Sequence, residues 1–170
     1  MITFGRAKIT DSIRISVLLK TVYIQTYAAE GVTFEFANFI TKRFSVEHIE
    51  STIAADPDQL MIAYFNDNPI GVAEIIFGRT CPIKNINAPE LSKLYVLERF
   101  YGKGVGHGLI KEVEDMLRKS GHEHLWLEVY TKNGRAVAFY EKHGFISIGE
   151  VDFPMETNTY RNYVMMRSIT

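Results

Sequence analysis

The stretch RFYGKGVGHGL, residues 99–109, sets glycine at positions 102, 104, 106 and 108 between an apolar run and a segment of helical periodicity. Glycine inside a helix lowers its stability by about 1 kcal/mol relative to alanine, so such a series points to a need for bare backbone. The run ahead of it, LSKLYVL (91–97), reads as a strand. Behind it, Val105, Leu109, Val113 and Leu117 line one face of a helix spanning about 104–120, which Gly121 closes. Two familiar uses of strand, glycine turn and helix fail on spacing. Gly102-Lys103 is followed by Gly104, where a Walker loop needs Ser or Thr. A dinucleotide fingerprint needs a glycine in its sixth place, and counting from Gly102, Gly104 or Gly106 finds His107, Leu109 or Lys111 there. A loose turn would need one glycine, not a series. What remains is Arg-x-x-Gly-x-Gly, formed by Arg99, Gly102 and Gly104 and followed by Val105-Gly106. Successive N–H groups turned one way at the positive end of a helix cradle a pyrophosphate, and side chains would obstruct its approach. On this reading the glycines are bare because a phosphate ester lies on them.

The rest of the chain reads as one domain, residues 1–170, large enough for a hydrophobic core without disulfides or metals. A short strand at 3–9 precedes a helix capped by Asp11 or Ser12, with Ile13, Val17, Leu18 and Ile24 at helical spacing. EGVTFEFA (30–37) reads as irregular. A second helix starts at the N-cap Ser45, turns Ile49 and Ile53 inward, and ends at Asp56-Pro57. Residues 59–78 form a hairpin around the turn tetrad Asn66-Asp67-Asn68-Pro69. After the glycine turn come a fifth strand (124–130), a helix from Asn133 to His143 ended by Gly144, and two last strands (145–153 and 162–169). The order β-α-α-β-β-β-α-β-α-β-β is that of a mixed sheet with helices on both faces.

A net charge of −1 gives no support to binding nucleic acid or a membrane surface, which favours a basic excess. The N-terminal segment carries charges through its apolar stretch, and no run approaches membrane-spanning length, so a soluble cytoplasmic protein is expected. The lone Cys81 excludes an intrachain disulfide and reads as a buried residue rather than an activated thiol. His122 and His124 have no evident third ligand, so no metal is expected.

Together, LSKLYVLERFYGKGVGHGL and NGRAVAFYEKHGF resemble the two best-known motifs of the GNAT superfamily of N-acetyltransferases, the second keeping Asn133-x-x-Ala136-x-x-x-Tyr140 and Gly144-Phe145. The segments TVYIQTYAAEG, IESTIAADPDQLMIAYFNDNPIG and YVMMRSI resemble the PaiA-type polyamine acetyltransferase branch. The resemblance implies an α/β fold with a mostly antiparallel seven-stranded sheet splayed at strands four and five, and acetyl-CoA as co-substrate. It places the pantetheine on backbone groups of Leu94, Tyr95 and Val96, and the pyrophosphate on Arg99, Gly102, Lys103, Gly104, Val105, Gly106 and His107, with Asn133 also bonding the cofactor. Lys103 would add a point charge, or be a solvated lysine. Tyr140 lies two helical turns after Asn133 on the same face and would protonate the departing thiolate. A general base acting through water falls to Glu90, with Glu74 and Glu128 as rivals on neighbouring strands.

The acceptor expected is a small amine or polyamine, with Glu30 and Glu35 among aromatic residues as its binding carboxylates. A protein N-terminus or lysine is the alternative acceptor, and a catalytically silent acyl-CoA-binding module the alternative function. Dimers are common in the family, so the resemblance allows a homodimer.

Overall fold

The computed structural model describes all 170 residues. Its elements in chain order are β1 (Ile2–Arg6), α1 (Ser12–Tyr27), α2 (Phe34–Arg43), α3 (Val46–Ala55), β2 (Leu60–Phe65), β3 (Asn68–Ile76) and β4 (Glu90–Val96), then α4 (Val105–Lys119), β5 (His124–Tyr130), α5 (Gly134–Lys142), β6 (Ile146–Pro154) and β7 (Thr159–Ser168). The strands form one sheet of order β1-β2-β3-β4-β5-β7-β6. β1 with β2, β2 with β3, β5 with β7 and β6 with β7 run antiparallel, and β4 with β5 runs parallel. Packing divides the chain into two compact units, residues 1–74 with 93–113, and residues 75–92 with 114–170.

In the first unit the β2–β3 hairpin turns at Asn66 and Asp67, with φ of 48° and 62°. Two consecutive positive values suit the right-handed twist of a two-residue hairpin turn, and short polar residues tolerate them best. Pro69 sits at the start of β3, opposite Tyr64 at a shift of register, where a missing N–H does least harm. α3 begins as expected, the Ser45 hydroxyl accepting from His48 N–H at 3.1 Å.

Two expectations are corrected here. Within the stretch 30–37 that reads as irregular, residues 34–37 open α2 (Phe34–Arg43), whose N-cap Thr33 accepts from Phe36 N–H at 3.2 Å. Its pattern misleads because Phe34 is 90% exposed while Glu35 is buried, the reverse of amphipathic order. In α1 the buried face is Ile15, Leu18, Leu19, Val22 and Tyr23, and Ile13 and Val17 point to solvent.

The two faces of β3 receive different partners. A Cβ on Gly71 would stand 3.2 Å from Val105 Cγ1 and Leu109 Cδ1, so the missing side chain lets α4 approach. Glu74, three residues on, points to the opposite face by strand alternation and pairs with Lys93, whose ammonium lies over the Phe44 ring. Phe44 in turn meets Tyr23, Phe39 and Tyr95 edge-on, making an aromatic cluster with the helices before β2.

In the second unit Cys81, Ala88, Trp126, Val164 and Met166 make a buried cluster. The cysteine is thus a core residue, as the sequence reading expects. Trp126 is fixed at both ends: its backbone N–H donates to Pro89 O at 3.2 Å and its indole N–H to Ala88 O at 2.9 Å. Arg167 on β7 donates to His143 O at the end of α5 at 2.6 Å and pairs with the buried Glu114 at 2.7 Å. A cation at that helix end is electrostatically favoured, and it holds α5 in place.

Asp11 occupies the N-cap position of α1 but makes no capping bond with its side chain. Its carboxylate instead accepts from Arg14 and from the Tyr64 hydroxyl, the latter at 2.8 Å, while Arg14 reaches Asp67 O in the hairpin turn at 3.0 Å. Burial pushes the Asp11 carboxyl up, but the bonds from Arg14 and Tyr64 and the Arg14 charge outweigh it and hold its pKa below the ordinary aspartate value. Burial, then the bond to Asp11 and its charge, push the Tyr64 phenol up. Because the folded-state pKa of Asp11 is the lower one, its contribution to stability is complete above the unfolded value. That contribution is lost as pH falls through the folded value. Asp11→Ala should therefore cost about 2 kcal/mol in urea denaturation at pH 7, with the gap to the parent narrowing below about pH 4. A gap independent of pH would show that the carboxylate charge is not what holds this junction.

Candidate functional site

β4 is the fourth of seven strands, yet after buried Glu90 and Leu91 its remaining five residues all keep some exposure, little of it at the Lys93 side chain. Leu94, Tyr95 and Val96 are among them. The parallel register with β5 is the single pair Glu90 and Trp126, at the beginning of β4. The strand's end is held by Leu97 N–H donating to Ile70 O at 2.9 Å.

The chain then enters the glycine turn. Gly102 and Gly104 take φ of 73° and 78°, the left-handed region that side chains resist, and a Cβ at either would meet nothing within 4 Å. The turn is thus glycine for its backbone, and the space over it is open. Gly104 O accepts from Gly108 N–H at 2.9 Å, which makes Gly104 the entry residue of α4. The first turn of a helix has N–H groups without intrahelical acceptors, and here that turn starts at Val105 and Gly106. Arg99, Lys103 and His107 are exposed around it, with Lys103 Nζ 5.2 Å from the Phe100 ring centroid.

One glycine is bare for another reason, which corrects the reading of the series as a single device. A Cβ on Gly108 would stand 2.1 Å from Phe4 Cζ. That position is empty for the β1 phenylalanine and not for a phosphate.

In the second unit Asn133 caps α5, its Oδ1 accepting from Ala136 N–H at 3.3 Å. Tyr140, two turns on, is buried, with its ring edge-on to Phe139 and Phe145 at 5.5 and 5.6 Å. Glu90 is buried at the start of β4 and accepts from Arg79 at 2.7 Å. Glu128 accepts from Asn162 at 3.4 Å.

The carboxylates raised for acceptor binding separate by exposure: Glu30 is exposed and Glu35 is buried in the first turn of α2. Sequence reading missed Arg79 and Lys93, the partners of Glu90 and Glu74. The available signal for Lys93 was a lone charge inside an apolar strand. No group of three or more His, Cys, Asp or Glu side chains is disposed to hold a metal ion.

Comparison with known proteins agrees with this geometry. The model of the acetyltransferase (GNAT) family matches residues 25–145. An uncharacterized N-acetyltransferase of Mycobacterium tuberculosis (strain ATCC 25618 / H37Rv) is 32% identical over 138 residues, covering 81% of each chain. Among solved structures, the PaiA N-acetyltransferase of Thermoplasma acidophilum in complex with coenzyme A superposes with a TM-score of 0.81 at 21% identity, covering 99% of both chains. Ard1 of Thermoplasma volcanium gives 0.73 at 20% identity, covering 99% of this chain and 98% of that one. A strand that opens along its length, a glycine turn and a helix N-terminus, with the family match over most of the chain, lead to one conclusion: the chain belongs to the acetyltransferase (GNAT) family and is an acetyl-CoA-dependent N-acetyltransferase.

Proposed function

We propose that the protein acetylates a primary amine of a small molecule, with a polyamine such as spermidine as acceptor, by direct attack of the amine. The observation that carries the donor half of this reading is the pair Gly102 and Gly104, held at positive φ beneath open space at the head of α4. A pyrophosphate needs that combination of bare backbone and outward N–H groups. Acetyl-CoA supplies the activated acyl group as a thioester.

The chain's residues then divide the work. Arg99, Gly102, Lys103, Gly104, Val105, Gly106 and His107 hold the pyrophosphate, Lys103 leaving its aromatic neighbour to add charge. Leu94, Tyr95 and Val96 offer backbone groups to the pantetheine amides, as a sheet edge pairs with a peptide. The Val96 N–H donates to the carbonyl oxygen as negative charge builds on it. Asn133 already uses its Oδ1 as a cap and offers its amide nitrogen to the cofactor. Tyr140 carries the proton that the departing thiolate takes.

An amine of pKa about 10 is mostly ammonium at neutral pH and must lose a proton before it attacks. Glu90 collects that proton through water, with Arg79 fixing its orientation. Support for a polyamine comes from the PaiA-type sequence segments and from Glu30 and Glu35 in an aromatic-rich stretch of the sequence. Glu35 is the buried member, next to Phe36, whose ring lies 5.8 Å from that of Tyr23.

Thiol release from acetyl-CoA should therefore be faster with spermidine than with a monoamine of similar length or a lysine peptide. Equal kcat/KM for all three would remove the charged pocket, and no release with any amine would leave a silent acyl-CoA-binding module. Gly104→Val should weaken acetyl-CoA binding by roughly 100-fold in calorimetry through loss of charge-assisted bonds. Unchanged affinity in a folded variant would overturn the cradle. Tyr140→Phe keeps the ring contacts and should lower kcat by about 10²-fold or more while acetyl-CoA affinity stays put. A wild-type kcat with chemistry rate-limiting would return Tyr140 to the core.

A further inference from the structure

The first unit holds an ion pair where a sheet interior ordinarily holds apolar side chains. Lys93 Nζ lies 2.7 Å from Glu74 Oε1, with the two side chains 10% and 13% exposed. The same ammonium lies 5.7 Å from the centroid of the Phe44 ring, itself 1% exposed and edge-on to Tyr95. A pair this buried contributes little net stability compared with packed apolar residues of similar volume, so stability alone does not account for it. A carboxylate beside an aromatic ring is, however, the combination that binds an alkylammonium ion. The lysine side chain is itself an alkylammonium on a flexible four-carbon stem.

We propose that Glu74 and Phe44 form a binding subsite for an ammonium group of the acceptor, and that Lys93 occupies it as a tethered stand-in until a cationic acceptor displaces it. The inference rests on the acceptor being an amine, as proposed above, and adds where its second charge is held. Lys93 precedes Val96 by three residues, about 10 Å along a strand. An acceptor reacting at Val96 therefore reaches Glu74 only if it is elongated and carries a second cation. A monoamine leaves Lys93 in place. The device selects polyamines by making displacement of an internal cation part of binding, and it keeps the buried carboxylate neutralised in the free protein.

The test uses the full chain as wild type, Lys93→Met and the doubly neutral Lys93→Met/Glu74→Gln. Propylammonium chloride serves as the probe in a thermal-shift assay, which needs no acetyl transfer. Lys93→Met should be stabilised by propylammonium well beyond the wild type and the double variant, and its KM for spermidine should fall by roughly tenfold, with that for a monoamine unchanged. Equal propylammonium responses in all three proteins, or a spermidine KM that does not fall in folded Lys93→Met, overturn the proposal. Should Lys93→Met not fold, the wild type decides: the side-chain nitrogen resonance of Lys93 should shift on adding spermidine and not on adding a monoamine, and an unmoved resonance overturns the subsite. Absence of thiol release with every amine, alongside a positive thermal shift, would instead sink the proposed small-amine acceptor and leave the cation site standing.

Discussion

The link from β4 to α4 must place the backbone in left-handed conformation twice within three residues, at Gly102 and Gly104. That constraint sets where α4 begins, and with it which residues of α4 meet the sheet. Because Gly104 O receives the first helical bond, Val105 and Leu109 come to lie over Gly71 of β3 and Gly108 over the ring of Phe4. Gly71, Gly108 and Phe4 then have to stay small or apolar for the helix to seat. The cradle proposed for a pyrophosphate and an ordinary helix–sheet contact thus fall on one turn, and the glycine series covers both.

Much of this was legible because it is local. Caps at Ser45 and Asn133, the Asn66-Asp67 turn, and the helix ends at Gly121 and Gly144 are written within a few residues of where they act. The Arg-x-x-Gly-x-Gly stretch belongs to the same class, since backbone conformation is a property of the residue itself. Gly106 and Gly108 were not separable from it by inspection, and only the position of Phe4, over a hundred residues earlier, distinguishes Gly108. Periodicity alone picks the wrong face of α1 because Ile13 and Val17 are apolar yet exposed, whereas Ser12 and Ser16 are buried. Helical spacing identifies a stripe but not which of two stripes the tertiary structure covers.

The carboxylates show the same division between local and distant information. Glu90, Glu74 and Glu128 looked equivalent as strand acids, and each turns out to be engaged differently: by Arg79, by Lys93 and by Asn162. Sequence shows which acids exist, whereas pairing depends on the register between strands and on loops that return across them. A buried acid needs a partner to be tolerated at all, so the partner rather than the acid decides what chemistry is open to it. For Tyr140 the supporting contacts are remote as well, since α5 is held at its end by Arg167 from β7.

Trp126 is the only tryptophan in the chain, and both its backbone and its indole nitrogen are tied to the loop that leads into β4. Its emission is therefore a private channel on one part of the molecule. Indole fluorescence will follow the apolar cluster around Cys81 and the start of the β4–β5 pairing, while the aromatic cluster around Phe44 contains only tyrosine and phenylalanine and is silent at those wavelengths. Unfolding followed through indole light would thus watch the second compact unit alone, whereas tyrosine light comes from both units, Tyr23, Tyr27, Tyr64, Tyr95 and Tyr101 lying in the first and Tyr130, Tyr140, Tyr160 and Tyr163 in the second. A tyrosine transition that departs from the indole one would show that the units do not come apart together.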